Sequence, residues 1–117
     1  MPVLRIDYNS SEVDDVTIKD FCDTYLAKAI DVYGMGKEFF SIFVRPFGTF
    51  DFSTALIEVE CVAGAHEYSK DNENEKEVRE RYAKELADAI AIWKRGKMDG
   101  AIISTITSTP WKVTWID

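Results

Sequence analysis

The chain has 117 residues, 46% of them hydrophobic and 30% charged, with a formal net charge of −7 at pH 7. That length supports one domain around one core, and the acidic balance speaks against nucleic acid, whose phosphates need a basic face. No apolar run approaches the ~20 residues of a membrane span, the N-terminus lacks the layout of a secretory signal, and the cytoplasm is the expected compartment.

Met1 is followed by Pro2 and then by Val3-Leu4-Arg5-Ile6-Asp7-Tyr8, in which Leu4, Ile6 and Tyr8 alternate with Val3, Arg5 and Asp7. Period-two alternation predicts a strand. Removal of Met1 would leave Pro2 as a free secondary amine fixed at a strand end, able to take or give a proton on carbon. Proline makes up about 5% of residues, so chance alone puts it second in about one chain in twenty; its weight depends on the architecture around it.

From Ile18 an apolar stripe runs through Phe21, Cys22, Tyr25, Leu26, Ala29, Ile30 and Tyr33, the three-and-four spacing of a helix with one buried face. Thr17 with Asp20 resembles a capping box, and Gly34 suits the left-handed position after the last turn. Strands follow over Phe39 to Pro46 and Thr54 to Val62. The stretch Phe39 to Phe52 holds six of the seven phenylalanines, which fits subunit contacts or a pocket wall. Gly64 to Asn74 is polar and acidic, expected as a mobile surface loop, and His66 lies within it. A second stripe, Val78, Tyr82, Leu86, Ala89, Ile90 and Trp93, predicts another helix, capped by Asn74 with Glu77 and stopped at Gly96. Ala101 to Thr109, rich in Ile and Thr, reads as the fourth strand, and Trp111 to Ile116 is long enough for a further one. Cys22, Cys61 and His66 have no metal-ligand spacing, so no metal site is expected.

The order is β-α-β twice. Right-handed crossovers would lay both helices on one face of a four-stranded α+β sheet. The other face would carry Val3, Arg5, Phe39, Phe43, Arg45, Leu56, Glu58 and Glu60. Exposed phenylalanines on a sheet face point to burial by association.

Pro2 opening a strand, two β-α-β halves and this length together resemble the tautomerase superfamily, in particular its double-repeat members similar to macrophage migration inhibitory factor. The resemblance covers the whole chain in layout. It implies a mature N-terminal proline as general base or acid, a homotrimer with sheets packed into a barrel, and a small, anionic, enolisable substrate. Pro2 matches the catalytic position. Lys37, just before the strand Phe39 to Pro46, matches a lysine near the proline, and Val62 matches a strand residue whose backbone meets ligand. Trp111 falls near a pocket aromatic. Ile102 and Ser104 occupy the places where the inhibitory-factor branch has a tyrosine and an asparagine.

Arg45 joins Lys37 as a group able to hold a carboxylate or an enolate oxygen, with an ion pair to Glu58 or Glu60 as its other reading. Phe50 joins Trp111 as a candidate apolar wall. Arg5 is expected in an ion pair with a glutamate on the uncovered face. Three readings remain open: a cofactor-free tautomerase-like enzyme, a non-catalytic ferredoxin-like binding or regulatory module, and a superfamily member acting only through protein contacts.

Overall fold

In chain order, β1 (Val3–Tyr8) is followed by α1 (Asp15–Tyr33), β2 (Ser41–Pro46), β3 (Ala55–Val62), α2 (Glu75–Lys94), β4 (Ala101–Ser108) and β5 (Trp111–Ile116). The computed structural model describes residues 2–63, 75–108 and 111–116; Met1 and the stretch from Gly64 to Asn74, with His66 and the expected cap Asn74, lie outside them. The strands form one mixed sheet in the order β2-β1-β3-β4-β5. Each β-α-β half contributes a parallel pair, β1 with β2 and β3 with β4, and the halves meet where β1 runs antiparallel to β3.

Five strands replace the expected four. Only two residues separate β4 from β5, a length that lets one strand fold back antiparallel on the other. The ladder runs from Ile103 opposite Ile116 to Ser108 opposite Trp111.

Both helices cover one face. The side chains of Leu4, Ile6, Ile57, Val59, Cys61, Ile102 and Ile106 point to that side and are buried with Phe21, Tyr25 and Tyr33 of α1 and Tyr82, Leu86 and Trp93 of α2. On β3 the alternation is clean, Ala55, Ile57, Val59 and Cys61 buried against half-buried Leu56, Glu58, Glu60 and Val62. β2 behaves differently. Ile42 and Val44 share the face of Leu4 and Ile6 by register, yet both are exposed, because β2 is an edge strand while the helices pack over β1, β4 and β5.

The start of α1 lies three residues before the expected cap. Asp14, not Thr17, closes it, its carboxylate accepting the Thr17 backbone N–H at 2.8 Å. Val13 before the cap and Ile18 four residues after it are both in the core, the arrangement of a hydrophobic staple. Gly34 ends the helix at φ 65°, donating its N–H to the Ile30 carbonyl at 2.9 Å, as the stripe and glycine predict. A single 3₁₀ turn, Lys37–Phe39, then occupies the start of the expected strand, so β2 opens at Ser41.

With Thr17 in the first turn, Asp20 is left for another purpose. Its carboxylate accepts the Trp93 indole N–H at 2.7 Å and the Lys97 ammonium at 3.0 Å, tying the middle of α1 to the end of α2. The Trp93 hydrogen bond first, and Lys97 second, hold this carboxyl below its ordinary range. A depressed carboxylate contributes stability that is fully present above its unfolded pKa, near 3.9, and lost as pH falls through the folded value. Asp20→Asn is therefore expected to lower Tm at pH 7. Thermal melts of variant and parent should converge as pH falls below about 4, where this contribution fades.

Candidate active site

One end of the sheet gathers the first residues of β1, β2 and β5 with the last residues of β3 and β4. Pro2 lies there, buried, its carbonyl accepting the Ser41 N–H at 3.2 Å. Its neighbour Val3 is level with Ser41 on one side and with Val62 on the other, and Val62 is level with Thr107 of β4. The Thr107 hydroxyl donates to the Glu60 carboxylate at 2.8 Å, and its carbonyl accepts the Ala63 N–H at 3.0 Å. The strand end beside Pro2 is thus tied down by backbone and side-chain bonds alike.

Of the residues singled out in the sequence, Val62 and Lys37 come to this end. Lys37 is exposed in the turn that leads into Ser41. Trp111 opens β5 at the same end, paired with Ser108, but its side chain is outside the described residues. Three others do not come together with Pro2 within the chain. Arg45 is level with Asp7, five residues along β1, roughly 16 Å away at ~3.3 Å per residue. Phe50 follows in the turn after β2 and is wholly exposed. Ser104 is buried on the helix side, level with Val59 and Ile6. Its strand reads Ile102-Ile103-Ser104-Thr105-Ile106-Thr107, with apolar residues on both faces, so alternation alone does not tell which side Ser104 takes.

The uncovered face carries the mixture of apolar and charged groups that the sequence predicts, with the charges at its centre. One row across it reads Phe43, Arg5, Glu60, Thr105, Thr114, and the next reads Arg45, Asp7, Glu58, Ile103, Ile116. A cavity of about 230 Å³ opens between Arg5, Asp7, Glu58, Glu60 and Thr105. The Arg5 guanidinium lies 5.8 Å from the centre of the Phe43 ring, a cation–π contact beside its level pairing with Glu60. Partial burial, and then Glu58 beside it, push the Asp7 carboxyl above its ordinary range against the pull of Arg45. Sequence reading passed over Asp7 and Thr107; the one signal for them was their phase on strands whose opposite face is apolar.

No family model and no curated protein matches the sequence. Solved structures do. Malonate semialdehyde decarboxylase is similar at a TM-score of 0.63 and 15% identity, over 93% of this chain and 88% of that one. A 5-carboxymethyl-2-hydroxymuconate delta-isomerase is similar at 0.62 and 13% identity, over 95% of this chain and 84% of that one. MIF2 of Leishmania major follows at 0.55 and 15%, over 92% and 88%. All three are tautomerase-superfamily members.

The chain has the tautomerase fold.

At 13–15% identity, what is shared is the fold. In this tautomerase fold Pro2 precedes an interior strand, with β2 on one side and β3 on the other. A residue at the head of an edge strand would have one hydrogen-bonded neighbour; the head of β1 has two. The tautomerase fold also accounts for the doubled β-α-β order and for the parallel pairs flanking an antiparallel junction. Among the described residues no helix is long and apolar enough to cross a membrane.

Proposed function

We propose that this chain is a cofactor-free tautomerase-like enzyme, acting as a homotrimer, that uses Pro2 as general base or acid on a small enolisable 2-oxo acid. The observation that carries this reading is the setting of Pro2: buried, at the head of an interior strand of a tautomerase fold. Malonate semialdehyde decarboxylase, similar in fold, has been solved with its own N-terminal proline replaced by alanine and is described with decarboxylase and hydratase activities. Once Met1 is removed, the Pro2 nitrogen is a secondary amine on a buried residue. Such surroundings favour the neutral, proton-accepting form.

The reaction needs no redox partner. The amine takes a proton from the enol hydroxyl, the enol π electrons move onto carbon, and the same proton is returned there, so protons balance over the cycle. Negative charge develops on oxygen in between. Lys37, in the turn leading to the Pro2 end, is the cation assigned to the substrate carboxylate or that oxygen. Val62 lines the site through its backbone, and Trp111 supplies an apolar wall. Arg45 and Phe50, at the far end of the same chain, take part only if another subunit brings them.

Intact mass and an activity assay test the reading together. The mature protein should lack Met1 and should accelerate ketonisation of enol phenylpyruvate; a retained Met1, which turns the Pro2 nitrogen into an amide, would exclude proline chemistry. The pH profile assigns the role. A rate that rises with pH through the amine's pKa marks a base, and one that falls marks an acid. Lys37→Ala is expected to raise KM by about tenfold with kcat little changed, the signature of lost ground-state binding. Steady-state kinetics at pH 7 read this directly.

The non-catalytic reading has one observation in its favour. Ser104, at the place of a polar pocket residue in the inhibitory-factor branch, is buried in the core of this chain.

A further inference from the structure

Arg5 and Glu60 are level neighbours on the uncovered face, yet their charged ends lean apart. The Arg5 guanidinium is turned over the Phe43 ring of β2, 5.8 Å from its centre. The Glu60 carboxylate is turned the other way, onto β4, where it accepts the Thr107 hydroxyl at 2.8 Å. The cavity of about 230 Å³ opens on this part of the face. Thr107 is not the residue level with Glu60; Thr105 is. Thr107 is two residues nearer the Pro2 end, level with Val62, which is itself level with Val3. Its place is fixed by its own backbone, since its carbonyl accepts the Ala63 N–H at 3.0 Å. The bond from Thr107 therefore draws a negative charge along the sheet toward the proline. With strands ~4.8 Å apart and ~3.3 Å per residue, the carboxylate comes to roughly 8 Å from Pro2. The far end of a small 2-oxo acid held at Pro2 reaches that distance.

We propose that Glu60, held by Thr107, sets the specificity of the Pro2 site: it admits 2-oxo acids with one carboxylate and an uncharged far end, and turns away those with a second carboxylate. This narrows the substrate class of the proposed function and rests on that reading. Lys37 takes the carboxylate that every such substrate carries. A second carboxylate, at the far end, meets a like charge. Among the described residues no ion pair ties up Glu60, because Arg5 leans to the other strand. Glu60 and Thr107 are both half-buried, so salt screens this charge less than one in open water. Repulsion of the wrong ligand discriminates as well as attraction of the right one. One like charge at such a distance is expected to cost about tenfold in kcat/KM. Thr107 acts through Glu60 and is a positioning residue.

Steady-state ketonisation of two enols by the full chain tests this, with phenylpyruvate for an uncharged far end and oxaloacetate for a second carboxylate. The parent should favour phenylpyruvate. Glu60→Gln keeps the shape and still accepts from Thr107, and it should raise kcat/KM for oxaloacetate about tenfold relative to that for phenylpyruvate. Thr107→Val frees the carboxylate to swing away and should move the ratio the same way by a smaller factor, whereas Thr107→Ser should keep the parent's ratio. Added salt should narrow the parent's preference more than that of Glu60→Gln. If Glu60→Gln and Thr107→Val both keep the parent's ratio while phenylpyruvate is still turned over through Pro2, the specificity role is wrong and the proposed function stands. If the parent is inactive on both enols, or Pro2→Ala is as active as the parent, both fall.

Discussion

Pro2→Ala is expected to lower the rate of enol phenylpyruvate ketonisation by about 10²-fold or more, the scale of losing a positioned acid–base group. The substitution leaves a primary amine, so some basicity survives, but on a residue free of the ring that holds φ near −65°. The fold should not suffer, because the bond that anchors this end uses the Pro2 carbonyl and the Ser41 N–H, both of which alanine keeps. Circular dichroism and oligomeric mass should match the parent. The loss should fall on kcat and kcat/KM alike, the mark of an interaction made in the transition state. If Pro2→Ala turns over as fast as the parent across a panel of enolisable 2-oxo acids, the proline is not the base, and the non-catalytic reading takes its place.

The largest stability effect is expected at Phe21. Its side chain is 1% exposed, its ring centre 5.1 Å from that of Trp93 in an edge contact and 6.0 Å from that of Tyr25. A cavity of about 10 Å³ already borders it, lined also by Thr24, Tyr25, Ala89, Ile90 and Trp93. Phe21→Ala would merge with that space, which puts the cost toward the upper part of the ~3–5 kcal/mol found for such truncations. Against a typical total of about 5–15 kcal/mol this is a large fraction. A drop in Tm on the order of 10–20 °C is expected. Melts at one protein concentration are required, since association shifts Tm by mass action. A change below about 3 °C would mean that α1 and α2 close over the gap.

Much of the architecture is written in periodicity. The stripes from Phe21 to Tyr33 and from Val78 to Trp93 could only be helices with one buried face, and Gly34 marked an end correctly. The start of α1 was ambiguous because Asp14-x-x-Thr17 and Thr17-x-x-Asp20 both satisfy a capping spacing. The presence of Val13, whose burial completes the staple, decides between them. β3 was legible because leucine and glutamate alternate with alanine, isoleucine, valine and cysteine. β4 was not, because isoleucine and threonine suit either side of a sheet, and which side Ser104 takes is set only by its level with Val59. Long-range level is invisible to such reasoning. Nothing in the sequence near Arg45 says that it is five residues along the sheet from Pro2.

The bond from Ser41 to the Pro2 carbonyl has a practical consequence. Chain ends are ordinarily the least ordered part of a domain, yet under the proposed function the end would be Pro2, whose carbonyl is already pinned by Ser41 and whose ring fixes its own φ. On the proposed function, a terminal amine so placed would have almost no freedom left to lose when a substrate arrives. The same rigidity leaves no slack for added residues. An affinity tag joined ahead of Pro2 turns the nitrogen into a tertiary amide, with no proton to lose and no basic lone pair, at a point where the chain cannot swing aside. Protein for assay should therefore carry its tag at the other end, or be released by a protease that leaves proline first.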